Sequence, residues 1–193
     1  MEFERKLAVM EEETMTRILE DPAICGRMAE PLRKIQMETT YYDAPDGGLS
    51  AKKWTLRRRM EGGAPVVTVK TPCGLPYARG EWETAGDDVL AALPALVRLG
   101  APAALLEIRA VQPVCGAAFV RRAVLLALDG SCVELALDVG RLFRENRSQP
   151  LRELELELKG GEAAPMLALT ESLKRRYGLR EEEKSKFYRA FRL

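Results

Sequence analysis

The 193-residue sequence carries 30 lysines and arginines against 29 aspartates and glutamates, so its formal net charge is only +1. Bulk charge therefore points to neither nucleic acid nor a membrane surface as a partner, although opposite charges can still be sorted onto separate walls of one site. Because the chain has no histidine, Ser-His-Asp and Cys-His nucleophile systems and histidine-containing zinc sites are excluded.

The remaining bulk properties are typical of a folded globular domain. Hydrophobic residues make up 47% and charged residues 31% of the chain, and its length predicts a single domain over residues 1–193. No apolar run is long enough to cross a membrane, and the charged, strand-like N-terminus is unlike a signal peptide. Four cysteines without zinc or redox spacing predict buried free thiols, and hence a soluble cytoplasmic protein: Cys25, Cys73, Cys115 and Cys132.

The first half of the chain alternates between strand and helix patterns. Residues 2–10 alternate polar and apolar side chains as a strand does, and residues 11–32 follow a helical period that is broken at Asp21-Pro22. Further strands are predicted at 35–43, 52–60, 66–72 and 79–84. The turn sequence EGGAP joins two of these strands in a hairpin.

The second half continues the same alternation. Helices are predicted at 87–99, 102–106, 162–177 and 182–191, strands at 107–115, 118–128, 131–140 and 152–159, and a loop at 141–150. Asp129-Gly130 marks a tight hairpin turn. Eight or nine strands, joined mostly by hairpins, favour an α+β fold in which helices pack outside a closed antiparallel barrel, with an open α+β sandwich as the alternative.

Charged side chains recur at alternate positions of several predicted strands, and alternate residues of a strand share one face. The sets that share a face are Glu2, Glu4 and Lys6; Arg57 and Arg59; Thr68 and Lys70; Arg79, Glu81 and Glu83; Glu134 and Asp138; and Glu153, Glu155 and Glu157. Such alternation usually means one solvated face. Here some strands carry almost only carboxylates and others almost only cations, and the opposite faces are apolar. Helices covering those apolar faces would leave the charges inside the barrel.

Charges enclosed in this way need neutralising partners, because an unpaired buried charge is costly. Carboxylates without histidine suit a hard divalent cation, Mg²⁺ or Mn²⁺. A wall of lysine and arginine suits phosphate oxygens. A polyphosphate held between metal and cationic wall is therefore consistent with the pattern, but spacing alone favours it no more than it favours solvated faces.

The ordered motifs resemble those of the CYTH superfamily, the triphosphate tunnel metalloenzymes. They are ExExK in MEFERK, YYDAP, RxR in LRRRM, TVK, ELALDVG and ELELELKGG, and the resemblance extends from Glu2 to Ser185-Lys186. It implies an eight-stranded antiparallel β-barrel, or tunnel, with a polar interior and helices outside. Substrates of the family are inorganic tripolyphosphate, thiamine triphosphate, RNA 5′-triphosphate ends or ATP.

The resemblance also implies roles for individual residues. The expected metal-binding carboxylates are Glu2, Glu4, Glu153 and Glu155, with Glu157 on the same face and Asp138 as a supporting acid. The expected phosphate-binding residues are Lys6, Arg57, Arg59, Lys70, Arg121 and Lys186, with Arg122 as the alternative to Arg121. Glu2, Glu4, Lys6 and Glu155 form the expected catalytic set. Arg79 and Glu81 face inward by parity and are candidates to join the wall.

Three functions remain open on these residues. The first is an Mg²⁺- or Mn²⁺-dependent triphosphatase that removes the terminal phosphate, most simply from inorganic tripolyphosphate. The second is a class IV adenylate cyclase that converts ATP to cyclic AMP and pyrophosphate; it ranks lower because family cyclases carry a His-Phe pair ahead of ExExK. The third is a non-catalytic polyphosphate or nucleotide-binding module, which would need fewer carboxylates. The expected partner is a small-molecule triphosphate, with no nucleic acid and no membrane, and a homodimer is left open.

Overall fold

Eight strands close into an antiparallel barrel in the computed structural model, which describes residues 1–193. The strands are β1 (Glu2–Ala8), β2 (Arg33–Asp43), β3 (Thr55–Glu61), β4 (Ala64–Pro72), β5 (Ala78–Ala85), β6 (Gln112–Leu128), β7 (Ser131–Arg144) and β8 (Arg147–Gly160). Their order is β1-β5-β4-β3-β2-β6-β7-β8, and β8 returns to β1. The two-residue strand β9 (Arg180–Glu181) adds to the side of β1. The predicted α+β barrel is confirmed, and the open sandwich is excluded.

The barrel closes along a short seam between β1 and β5. On one side β1 pairs with β8 over Glu4–Ala8, whereas on the other side only Glu2 and Phe3 pair with β5. One further hydrogen bond extends the seam, from the Glu4 amide to the Tyr77 carbonyl at 3.0 Å. The ExExK segment is therefore the strand that completes the barrel.

Six α-helices and one short 3₁₀ helix accompany the strands. They are α1 (Glu12–Leu19), α2 (Pro22–Cys25), α3 (Gly48–Ala51), α4 (Val89–Arg98), α5 (Ala163–Tyr177) and α6 (Lys186–Phe191), with the 3₁₀ helix at Ala103–Glu107. No helix has the length and apolar character that crossing a membrane requires.

Three predicted elements are wrong, and long-range pairing explains each. Strands 107–115 and 118–128 merge into one strand, β6, because Gly116 is no turn: it pairs with Thr40 of β2 on one side and with Phe143 of β7 on the other. The predicted loop 141–150 is a hairpin in which Arg144 pairs with Arg147. The helical pattern of 11–32 ends at Cys25, after which Met28 forms a bridge with Leu126.

The outward faces of the strands form two apolar cores beneath the helices. The larger joins Leu7, Leu126, Leu135 and Leu156 to α1, α2 and α5, and the smaller joins Leu56, Val67 and Val69 to α4 and the 3₁₀ helix. Each fully buried leucine contributes about 2 kcal/mol of hydrophobic stabilisation. The apolar strand faces thus point away from the barrel axis, so the alternate charged faces point into it.

Helix α6 covers one end of the barrel. The inward-facing apolar side chains at this end are Met37, Tyr41, Ala117, Phe119, Leu142 and Leu151, and they pack with Phe187, Ala190 and Phe191 of α6. Arg144 and Arg147 donate hydrogen bonds to the carbonyl oxygens of Phe191 and Leu193, which fixes the far end of the helix. The polar interior is closed on this side by an apolar layer.

The four cysteines are free, as predicted. Cys115 is buried and Cys132 is half-buried, but Cys25 and Cys73 are exposed, so the expectation of burial is wrong for these two. Cys25 is the last residue of α2 and Cys73 directly follows β4, so both lie outside the packed strands.

We expect Gly140→Ala to destabilise the barrel by about 3 kcal/mol, because overpacking a rigid contact forces the backbone to shift. A Cβ at this inward-facing position of β7 would lie 2.2 Å from the Ala118 carbonyl oxygen and 2.5 Å from the Phe119 Cα. Gly160→Ala on β8 is the matched control, since nothing lies within 4 Å of its Cβ position. Urea unfolding measures both; equal stabilities of the two variants would contradict the prediction.

Candidate active site

A cavity of about 1130 Å³ occupies the barrel interior, and charged side chains line most of it. The cations are Arg5, Lys6, Lys53, Arg57, Arg59, Lys70, Arg79, Arg121, Lys159, Lys184, Lys186 and Arg192. The carboxylates are Glu2, Glu4, Glu61, Glu81, Glu83, Glu134, Glu155, Glu157, Glu181, Glu182 and Glu183. Both signs are present in similar number, which explains how a chain with almost no net charge has a strongly charged site.

Ten of the predicted site residues line this cavity: Glu2, Glu4, Lys6, Arg57, Arg59, Lys70, Arg121, Glu155, Glu157 and Lys186. The two others, Asp138 and Glu153, are 0% exposed and lie behind the wall. Arg121 rather than Arg122 lines the cavity. The structure thus brings the predicted set together, and the role of each residue stays a prediction.

Arg59 is a buried cation that has no carboxylate partner. It is 6% exposed, its Nε donates a hydrogen bond to the Thr39 hydroxyl at 3.0 Å, and its guanidinium lies 5.6 Å from the centre of the Phe119 ring. Burial, and then the positive charges of Arg57 and Arg121, lower the pKa of Arg59 to about 10. A cation held under this penalty is stabilised by any anion that enters the cavity.

Arg57 lies beside Arg59 on the same face and is also incompletely paired. Its terminal nitrogen is 3.5 Å from Glu81, and its buried Nε has no hydrogen-bond partner. Guanidinium groups bind phosphate oxygens through several parallel hydrogen bonds. The two arginines therefore offer unused donors to an anion in the cavity.

Glu2, Glu81 and Glu157 form an accessible acidic cluster, in which each residue lines the cavity and the carboxylate oxygens lie within 4.8 Å of one another. Lys70 donates to both oxygens of Glu2, at 2.5 and 2.7 Å, and lies 3.2 Å from Glu81. Although burial opposes it, Lys70 and then Arg57 hold the pKa of Glu81 below its ordinary value. Burial raises the pKa of Glu157, and the charge of Glu2 adds to that effect.

Asp138, Glu153 and Glu155 form a second, buried acidic cluster. Lys186 Nζ lies 2.8 Å from both Asp138 and Glu155 and also contacts Glu153. Arg121 donates two hydrogen bonds of 2.8 Å to Asp138 and contacts Glu155. Against the effect of burial, Lys186 and then Arg121 keep the pKa of Asp138 below its ordinary value and that of Glu155 well below. Burial raises the pKa of Glu153.

Glu4 and Lys6 lie between the two clusters on β1. Lys6 Nζ donates to Glu4 at 3.0 Å, and the strand register places Glu4 opposite Glu157 and Lys6 opposite Glu155. Burial lowers the pKa of Lys6, but Glu4 and Glu155 outweigh it and raise the pKa overall. The carboxylates of β1 and β8 thus form a continuous acidic wall.

Comparison with known proteins places this site in a family. The sequence model of the CYTH domain matches residues 1–191. The chain belongs to the CYTH family. The inorganic triphosphatase of Haemophilus influenzae is 31% identical over 138 residues, which cover 69% of this chain and 39% of that protein. This CYTH chain therefore spans well under half the length of its curated relative.

Solved structures share the fold of this CYTH chain. A Hippeastrum protein, named as an adenylyl cyclase candidate with a dominant triphosphatase activity, has a TM-score of 0.65 at 18% identity and covers 100% of this chain and 95% of its own. A Bacillus halodurans protein named as an adenylate cyclase candidate has a TM-score of 0.61 at 17% identity, covering 99% and 97%. A Pyrococcus horikoshii protein has a TM-score of 0.59 at 21% identity, covering 97% and 96%. At these levels of sequence identity, the similarity shows a shared fold and nothing more.

CYTH enzymes depend on metal ions, and the accessible acidic cluster fits a divalent cation. Its donors are carboxylate oxygens alone, which Mg²⁺ and Mn²⁺ prefer, and all three side chains border the cavity. Lys70, the ammonium now bonded to two of these carboxylates, shows that a cation is stable at this position. The donor set does not distinguish between the two metals.

The sequence predicted the position of Glu81 only in part, and it did not predict the position of Arg189 and residues 181–185. Glu81 faces inward by parity, but its place beside Glu2 follows from the pairing of β1 with β5, and its place opposite Lys70 from the pairing of β4 with β5. Arg189 of α6 contacts Glu153, and residues 181–185 line the cavity. No strand periodicity exists in that last segment, so the sequence held no signal for its position.

Proposed function

We propose that this CYTH domain, residues 1–193, is a metal-dependent triphosphatase that hydrolyses the terminal phosphate of inorganic tripolyphosphate, releasing orthophosphate and diphosphate. The observation that carries the proposal is the uncompensated Arg59 guanidinium in a cavity that also has an accessible acidic cluster. Arg59 needs an anion and the cluster accepts a cation, so a metal-bound polyphosphate satisfies both.

The carboxylates that would hold Mg²⁺ or Mn²⁺ are Glu2, Glu81 and Glu157, with Glu4 and Glu155 adjoining them on the same wall. The bound ion would neutralise phosphate charge and lower the pKa of a coordinated water. Glu155, kept ionised by Lys186 and Arg121, would accept a hydrogen bond from the attacking water and orient it.

The cationic residues would bind and orient the phosphate chain. Arg57 has a donor without a partner and Arg59 has no carboxylate partner, while Lys6 and Lys70 can exchange their present carboxylate contacts for phosphate oxygens. Because these groups are fixed on strands, they would meet the charge that develops on the leaving diphosphate without reorganising. The named activity of the Haemophilus influenzae relative supports the same reaction.

The test is a product analysis with purified protein. Tripolyphosphate, thiamine triphosphate and ATP are each incubated with Mg²⁺, with Mn²⁺ and with EDTA, and products are resolved by ³¹P NMR. Fastest orthophosphate release from tripolyphosphate, abolished by EDTA, is the expected result. Cyclic AMP from ATP would instead establish a cyclase. Calorimetric binding of tripolyphosphate without turnover would establish a binding module.

We expect Glu81→Gln to raise the metal concentration for half-maximal activity about tenfold, since one of three charged ligands is lost, and to leave kcat at saturating metal within about threefold. Glu83→Gln is the control, because Glu83 is an exposed cavity carboxylate with no ion pair on the same strand. Steady-state kinetics against Mg²⁺ concentration measures both. An unchanged metal requirement in Glu81→Gln would remove Glu81 from the metal site.

A further inference from the structure

Side chains of helix α6 neutralise most of the charge of the buried acidic cluster. Its three carboxylates, Asp138, Glu153 and Glu155, meet three cations, of which Lys186 and Arg189 come from α6 and Arg121 from β6. The positive and negative charges therefore balance within the cluster. A divalent cation entering here would have to expel at least one of these side chains.

Access distinguishes the two acidic clusters. Asp138 and Glu153 are 0% exposed and do not line the cavity, whereas every member of the accessible cluster does. Lys186 has a side chain that is 7% exposed, and Lys70, its counterpart in the accessible cluster, is exposed to 14%. The accessible cluster therefore presents all three of its carboxylates to the cavity, whereas the buried cluster presents only Glu155.

Lys186 is positioned by the helix that it starts. Ser185 caps α6, its hydroxyl accepting a hydrogen bond from the Tyr188 amide at 3.1 Å, and Lys186 is the first helical residue. The Lys186 ammonium lies 5.2 Å from the centre of the Phe119 ring. Arg189, one turn later, contacts Glu153 and lies 3.4 Å from Glu182 in the segment that leads into the helix. Both α6 cations thus converge on Glu153, while the Lys186 side chain still borders the cavity.

We propose that Asp138 and Glu153 are positioning residues that act through Lys186: they form, with Arg189, a socket that docks α6 and fixes the Lys186 ammonium at the cavity wall. This assignment replaces the metal-binding role expected for these two carboxylates. The consequence for substrate rests on the proposed function, because Lys186 would then meet the phosphate chain. Docking itself does not depend on that function.

The first test measures docking without turnover. In Glu153→Gln and Lys186→Met, amide hydrogen exchange over residues 187–193 should be at least about tenfold faster than in the wild type, while exchange in β6 is unchanged. Glu157→Gln is the matched control, removing the same charge from the accessible cluster, and should leave α6 protected. Wild-type protection of α6 in Glu153→Gln would overturn the proposal.

The second test measures metal binding directly. Mn²⁺ is titrated into each variant and free ion is counted by electron paramagnetic resonance. Glu153→Gln and Asp138→Asn should bind Mn²⁺ within about twofold of wild type, whereas Glu157→Gln should weaken binding about tenfold or more. If Glu153→Gln and Glu157→Gln weaken Mn²⁺ binding equally, Glu153 is a metal ligand and the proposed socket is wrong.

Kinetics distinguish positioning from general support of the fold. Arg189→Gln should raise KM for tripolyphosphate about tenfold with the metal requirement unchanged, and Arg189→Lys, which keeps the cation, should restore KM to within about twofold. Equal kinetics of Arg189→Gln and wild type would count against the socket. If the wild type hydrolyses no triphosphate, the proposed function fails, yet the exchange and Mn²⁺ measurements still decide the docking of α6.

Discussion

Replacing Glu4 with glutamine is expected to lower metal-dependent turnover of tripolyphosphate by about 100-fold or more while leaving the fold intact, because a charged group at the metal would be lost. Glu4 lines the cavity, stands opposite Glu157 and accepts a hydrogen bond from Lys6 at 3.0 Å. Glutamine keeps the size and one oxygen of the side chain but removes its charge. Lys6 would also lose its ion pair and the orientation that it provides.

The test of Glu4→Gln measures turnover, the metal requirement and stability together. Glu61→Gln is a suitable control, since Glu61 is an exposed cavity carboxylate without an ion pair. Turnover is followed over a range of Mg²⁺ and Mn²⁺ concentrations, and urea unfolding confirms that both variants are folded. A fully active Glu4→Gln protein would show that Glu4 does not bind the metal.

Replacing Arg59 with alanine is expected to raise KM for tripolyphosphate, or lower kcat/KM, by about 100-fold, the size typical of losing a preorganised charged donor. Arg59 has no carboxylate to satisfy it, so its interaction with a bound phosphate is not offset by breaking an existing ion pair. Arg58→Ala is the matched control, because Arg58 is the preceding residue of β3 and faces outward to Asp87.

The Arg59→Ala substitution should lower the free energy of unfolding less than the loss of a buried side chain usually does. Burial and the charges of Arg57 and Arg121 lower the pKa of Arg59 to about 10, so the charged form is less stable in the folded chain than in water. Removing it relieves that repulsion, which offsets the cavity left behind. We expect a free energy of unfolding within about 1 kcal/mol of wild type.

A binding measurement without metal isolates this effect. Tripolyphosphate added in EDTA should raise the melting temperature of the wild type, because the anion compensates the buried arginines, and should raise that of Arg59→Ala much less. Normal kinetics together with a normal shift in melting temperature would place Arg59 outside the phosphate site.

Strand periodicity predicted most of the barrel and its charged interior. A strand places alternate side chains on opposite faces, so the parity of Glu2, Glu155 and Arg59 could be read without knowing which strands pair. Segregation of carboxylates and cations on different strands made an interior site as plausible as solvated faces, and the resemblance to the CYTH superfamily then favoured the interior. The strand ends were less well predicted, since polar runs such as 144–147 form a tight turn only because β7 and β8 pair along their whole length.

Position along the barrel axis could not be predicted from parity. Glu2 and Glu81 are far apart in sequence and come together because β1 meets β5 at the short seam, a register that the local backbone period does not determine. The metal-binding carboxylates expected from sequence therefore lie in two separate clusters, with Glu4 in neither.

The sequence by itself determined which side chains share one face of a strand, because the two-residue period of a strand is a local property of the backbone. The tertiary structure alone decided which of those charges neutralise one another. Lys186 and Arg189 follow the last barrel strand on a short helix, and packing of Phe187 and Phe191 against the apolar end of the barrel brings them to Glu153. That contact depends on the closed shape of the whole barrel, which no local pattern encodes.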